Sequence, residues 1–157
     1  MVDELKVEFT DKQVTSWGGI KLMKDMLDSI GIKEMMKDLD LPERGSNRSY
    51  SAIQIIECFW VSIWIGAGRF SHSAYLRYDK VLQKIFGWKQ APSQSTYSRF
   101  FQKFSWKRNT EVFVPIQKWF IDNLQLDNLT IDFDSSVITR YGEQEGSKVG
   151  FNQSKPG

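Results

Sequence analysis

Apolar residues return at helical spacing over most of the first 125 positions. After Gly18-Gly19, the positions Ile20, Leu22, Met23, Met26, Leu27 and Ile30 predict a helix, with Gly31 as its C-terminal stop. A second, short helix through Met35, Met36 and Leu39 should end before Pro42, and the polar stretch 43–49, with Arg44 and Arg48, reads as a loop. Ser51 is a candidate N-cap for a helix running to about Ile65. That helix is apolar nearly all round and so belongs at the centre of a bundle. Asp79 is placed to cap a helix carrying Val81, Leu82, Ile85 and Phe86, closed by Gly87. After the connection Trp88–Pro92, Ser93 or Ser95 caps a helix to about Phe104. On it Tyr97, Phe100, Phe101 and Phe104 fall at i, i+3, i+4 and i+7 and must face inward, which leaves Ser95, Ser98, Arg99, Gln102 and Lys103 outside. A further helix from about Thr110 to Leu124 contains Pro115, which should kink it or mark its true start.

Two stretches depart from this period. Leu5, Val7 and Phe9 alternate with polar residues and suggest a short strand at 5–9. Beyond a polar turn at 123–128, Leu129–Asp134 is β-like and Val137–Tyr141 suggests a second strand, joined to it by Ser135-Ser136. The expected organisation is a helical domain over 1–125, mainly α, followed by the β-rich start of another domain over 126–157.

Composition narrows the class. With 41% hydrophobic and 14% aromatic residues the chain can bury a core, so intrinsic disorder is not expected. The longest apolar run, Ile53–Ile65, is broken by Gln54 and Glu57 and falls short of the roughly 20 residues needed to cross a bilayer, so no membrane association is expected. The first twelve residues carry Asp3, Glu4, Glu8 and Asp11 and lack the order of a secretory signal, so a cytoplasmic location is expected. Cys58 and His72 are the sole cysteine and histidine. An intramolecular disulfide and a zinc site of several Cys and His ligands are thereby excluded, and metal chemistry must use carboxylates.

Charge is distributed unevenly. Between Arg69 and Arg108 nine basic residues face Asp79 alone, a net of +8, so the rest of the chain stands at −6 within the total of +2. Such a block suits a surface that meets a polyanion, or it is a solvated lysine-rich face. The helix pair from Asp79 to Phe104 has the outline of a helix-turn-helix, although its connection is longer than the roughly 3–4 residues usual there. Plain helix-on-helix packing with no ligand gives the same pattern. If the block meets duplex DNA, Lys89, Ser95, Arg99, Gln102, Lys103 and Lys107 are the candidate contacts. On these residues alone, a non-enzymatic, repressor-like helical module stays open.

Candidate chemistry lies at Asp132 and Asp134. On a strand they would project from one face, roughly 7 Å apart. Two carboxylates so placed repel each other unless solvent or a cation intervenes. Oxygen ligands without His or Cys suit Mg²⁺ or Mn²⁺, the ions used where phosphate oxygens complete the shell. An Asp-x-Asp pair is also compatible with a structural or surface role. It further resembles the first motif of haloacid-dehalogenase-type phosphatases, with Asp132 as nucleophile and Asp134 as general acid, but those enzymes place it at the start of an α/β domain.

The residues that follow are more specific. Asp132-Phe133-Asp134-Ser135-Ser136, then Tyr141-Gly142-Glu143-Gln144-Glu145-Gly146, then Gly150-Phe151-Asn152, closely resemble the segment round the first acidic residue of one group of DDE-type bacterial insertion-sequence transposases. Ser136 stands where threonine is commoner in that group, and Phe151 where tyrosine is. Upstream, Gly18-Gly19-Ile20, Leu76-Arg77-Tyr78-Asp79 and Pro92-Ser93-Gln94-Ser95-Thr96 with Arg99 look like the same group's helical domain. The resemblance implies a cut-and-paste transposase with an RNase H-like core that uses three acidic residues and Mg²⁺ to cleave and rejoin DNA. It implies a helical DNA-binding bundle followed by the first β-hairpin of a truncated RNase H-like domain. Asp134, through the Asp134-Ser135 pair, is implied as first catalytic acid and metal ligand, with Asp132 as second choice. The implied partners are double-stranded DNA, as transposon ends and target, and a second copy of the chain; the implied location is the nucleoid. The chain stops at Gly157, 23 residues after Asp134, so no counterpart of the later acidic residues is present and this chain is not expected to cut DNA alone.

Overall fold

The computed structural model of the chain describes residues 11–43, 45, 49–124 and 130–132. The chain forms two compact units, Met1–Ile116 and Gln117–Gly157. Helix α1 spans Ile20–Ser29 and α2 spans Ile32–Lys37, and they bury Ile20, Leu27, Ile32 and Met36. The reversal between them passes through Gly31 at φ 69°, a left-handed conformation that costs an L side chain roughly 1–2 kcal/mol.

Helix α3 spans Ala52–Trp64 and starts as the sequence predicts, with Ser51 Oγ accepting the Gln54 N–H at 3.1 Å. It packs against α2, the 3-10 turn η1 (Phe70–Ser73), α4 (Ala74–Tyr78) and α6 (Gln94–Phe101), and so occupies the expected central place. Ile55, Ile56, Cys58 and Val61 are buried, whereas Ile63 is half exposed. Among them Glu57 carries a charge into the core, its side chain only 4% exposed. Its Oε2 accepts the indole N–H of Trp88 at 2.8 Å, and the Lys33 ammonium stands 2.7 Å from Oε1 as a charge contact without the alignment of a directed hydrogen bond. One carboxylate thus ties α2, α3 and the segment after α5 together.

Helix α5 spans Lys80–Phe86 and has the two predicted ends. Asp79 Oδ1 accepts the Leu82 N–H at 2.8 Å, Asp79 Oδ2 accepts the Thr15 hydroxyl at 2.6 Å, and Gly87 closes the helix at φ 69°. The connection Trp88–Pro92 is part of the core, with Trp88, Ala91 and Pro92 buried. Trp88 stacks on Phe86 with ring centroids 4.5 Å apart, and Gln54 Nε2 donates to the Gln90 carbonyl at 3.1 Å. Helix α5 packs chiefly on α1 and α4, and α6 chiefly on η1 and α3. The helix-turn-helix outline drawn from spacing therefore joins two helices whose main neighbours differ.

Helix α7 spans Trp106–Asn123, one turn longer at its start than predicted, and Pro115 lies inside it. In the first unit it buries Val112 and Ile116, and Arg108 Nη2 pairs with Asp40 Oδ2 at 3.0 Å. In the second unit the described residues include Trp119, packed edge-on against Phe120, and Asn123, whose Nδ2 donates to the Trp119 carbonyl at 2.8 Å.

The helical part of the sequence-based fold class fits, but the expected β-hairpin of an RNase H-like domain is overturned. Thr130, Ile131 and Asp132, the described part of the predicted strand Leu129–Asp134, form neither helix nor strand, and the described residues contain no strand at all. Alternation alone does not make a strand. The ladder needs a paired backbone and a face to cover, and Ile131 is 61% exposed. The predicted strands at 5–9 and 137–141 lie outside the described residues.

Two substitutions test this core. Trp88→Phe keeps an aromatic ring but leaves a buried carboxylate oxygen without its donor, and should lower stability by about 1–3 kcal/mol in urea unfolding; an unchanged midpoint would show that the Glu57 contact carries no weight. Phe100→Ala should cost about 3–5 kcal/mol through cavity formation. Wild-type stability in that variant would mean that the inward face of α6 is misassigned.

Candidate nucleic-acid interface

The inner face of α6 decides what its outer face can do. Tyr97 and Phe100 are 1% and 5% exposed. Phe101 packs edge-on against Phe59 of α3 at 4.9 Å and stacks on Phe70 of η1 at 5.8 Å, and Phe70 also stacks on Tyr97 at 5.7 Å. Phe104, just beyond the helix, lies 5.3 Å from Phe100 and 5.6 Å from Phe113 of α7. Aromatic packing on three elements fixes the rotation of α6, and the remaining positions, Ser95, Arg99, Gln102 and Lys103, are exposed.

Ser95, Arg99 and Gln102 converge on one concave basin of about 590 Å³ between α6 and the η1–α4 segment. Arg77 of α4 lines it as well, together with Ser93 and Ser98. Among the described residues no carboxylate lines this basin. The side chain of Ser93 makes no capping bond to α6 and instead lies 3.0 Å from Ser95 Oγ and 3.1 Å from Thr96 Oγ1. The positive end of the α6 dipole therefore opens onto hydroxyl groups.

Arg99 also borders a second depression that contains Lys103, Thr96 and Tyr50. Glu43 lies there too, and Lys103 Nζ donates to its backbone carbonyl at 3.2 Å. The other two candidate contacts stand apart from both. Lys89 borders a shallow depression with Tyr50, Gln54 and Gln90, and Lys107, its side chain 83% exposed, lies 3.7 Å from Glu111 along α7. Of the six candidate DNA contacts, three share the basin, Lys103 adjoins it, and two line neither depression.

Arg77 was legible as part of the basic block and of the Leu76-Arg77-Tyr78-Asp79 stretch, but not as a member of this basin. The sequence assigned no element to Phe70–Tyr78, because η1 and α4 are each shorter than one amphipathic period can reveal. Their packing on α3 and α6 is what turns Arg77 towards the same concavity.

Other reactive groups are occupied structurally. Burial, with the adjacent Glu57 carboxylate adding to it, pushes the Cys58 thiol well above its ordinary value, which favours the protonated, unreactive form. Burial likewise raises the Tyr97 phenol, with Cys58 a further cause. His72 Nδ1 accepts the Gly68 N–H at 3.2 Å and its ring lies 5.9 Å from that of Tyr75. Among the described residues no group of three or more His, Cys, Asp or Glu side chains comes together to hold a metal ion. Asp132 is exposed, and Asp134 lies outside the described residues. No described helix is long and apolar enough to cross a membrane.

A protein-family model described as transposase DDE domain, group 1, matches residues 2–154 of the chain. No curated protein and no solved structure matches it.

Proposed function

The chain belongs to the transposase DDE domain group 1 family, and on that premise we propose that it holds double-stranded DNA through the outer face of α6 and contributes Asp134 to a magnesium-dependent site for DNA strand cleavage and joining. The observation that carries the DNA reading is the convergence of Ser95, Arg99 and Gln102 on a basin that no described carboxylate lines, on a helix whose rotation is fixed by buried aromatics. Lysine and arginine that neutralise phosphates release condensed counterions, which supplies affinity independent of sequence. Serine and glutamine among them give neutral hydrogen bonds to phosphates or base edges. Lys103 adjoins the basin, and Lys89 and Lys107 stand apart from it.

The catalytic part of the proposal rests on family membership together with the Asp134-Ser135 pair. An oxygen-only donor set suits Mg²⁺ or Mn²⁺, which, when bound, would supply charge stabilisation for a phosphate and activation of water or a hydroxyl. Asp134 is the proposed ligand. Asp132, exposed and in no strand, is proposed to lie beside it and adjust its charge. The repressor-like reading shares the DNA face but gives no account of the family match over 2–154. The phosphatase reading has no observation in its favour.

Arg99→Ala and Lys103→Ala should each weaken duplex binding several-fold and reduce its dependence on salt, with helicity intact by circular dichroism, because both side chains lie off the packed face. Wild-type affinity in both variants would remove this face from the contact. For the acidic site, alanine at the aspartate matching Asp134 in a longer member of the family that cuts DNA should abolish magnesium-dependent cleavage. Cleavage that survives it contradicts the assignment.

A further inference from the structure

We propose that the basin between α4 and α6 is a built seat for a phosphate group, Arg77 being its inner anchor, and that the phosphate it takes is one of the DNA backbone. The inference rests on the reading of α6 as a DNA-facing helix and adds to it a residue and a division of labour. Arg77 Nε is buried and has no hydrogen-bond partner among the described residues. The residue itself is half-buried and lines the basin, so an anion in the basin would place negative charge beside a guanidinium that has no carboxylate partner in its lining. The surroundings fit such an anion: Arg99 lines the basin from α6, Ser93, Ser95 and Ser98 supply hydroxyl groups, and no carboxylate among the described residues competes. Two arginines from different helices match the oxygens of a phosphate better than those of a planar base edge.

The neighbouring depression differs in the way a division of labour needs. It carries Lys103 and Arg99 together with Glu43 and Tyr50, a mixed lining without an unpartnered buried donor. Arg99 borders both. In this arrangement the phosphate seat sets the register of α6 on the duplex, and Lys103, in the neighbouring depression, adds charge neutralisation outside the seat.

The test uses the full chain, two labelled duplexes of unrelated sequence and a salt series. Arg77→Gln should weaken binding to both duplexes about tenfold, and should make the slope of log K against log salt shallower by about 0.9. Arg77→Lys, which keeps the charge and the stem but not the fork, should restore the slope and only part of the affinity. If Arg77→Gln, folded by circular dichroism, binds both duplexes with wild-type affinity and slope, the proposal is overturned. A chain that binds neither duplex would instead refute the DNA reading of α6. The seat is then read by inorganic phosphate at ionic strength matched with chloride. A rise in melting temperature that Arg77→Gln abolishes keeps the seat, with free phosphate as its source, and no rise overturns it.

Discussion

Aromatic packing beneath α6 is the constraint from which the exposed chemistry follows. Tyr97, Phe100 and Phe101, with Phe104 just past the helix end, take one side of an eight-residue helix, and their partners Phe59, Phe70 and Phe113 come from three different elements. A helix so short is not stable alone in water. Its existence and its rotation both depend on that burial. Once the rings are inside, Ser95, Arg99 and Gln102 have only one direction left, and it is the direction in which Arg77 arrives from α4. The polar basin is therefore a consequence of where the hydrophobic side chains must go.

A second, polar constraint sets where α6 begins. The connection that leads into it buries Trp88, Ala91 and Pro92 and is held by the carboxylate of Glu57, which Trp88 and Lys33 both approach. A buried charge is costly unless several groups compensate it, and here the compensating groups come from α2 and from the segment after α5. The effect is to make one entry path for the chain into α6 cheaper than its alternatives. Aromatic packing sets the rotation of the helix; the Glu57 contacts set its starting point.

Much of this was legible in the sequence, and the omissions have physical causes. Ser51, Asp79, Gly31 and Gly87 mark helix ends through local hydrogen bonds and a backbone conformation that one residue determines, and the structure has all four where spacing put them. The stripe from Tyr97 to Phe104 is local in the same sense. Glu57 was visible only as an interruption of an apolar run, because its partners lie 24 and 31 positions away, at Lys33 and Trp88. η1 and α4 went unassigned because neither is long enough to show a period, and with them Arg77 was missed as a member of the basin. At Leu129–Asp134 alternation pointed to a strand. A strand is made by what pairs with it, which no window of the sequence contains, and Thr130–Asp132 has no such pairing.

Family membership gives the molecule its setting, and the basin gives it a surface on which that setting has physical meaning. The most direct test is an NMR titration of the labelled chain with a short duplex. The account predicts that amide and side-chain resonances of Ser95, Arg99 and Gln102 shift together along one saturating curve, while those of the buried aromatic stripe keep their positions. Saturable binding whose shifts cluster on α1 or α7 and leave the α6 face untouched would contradict it.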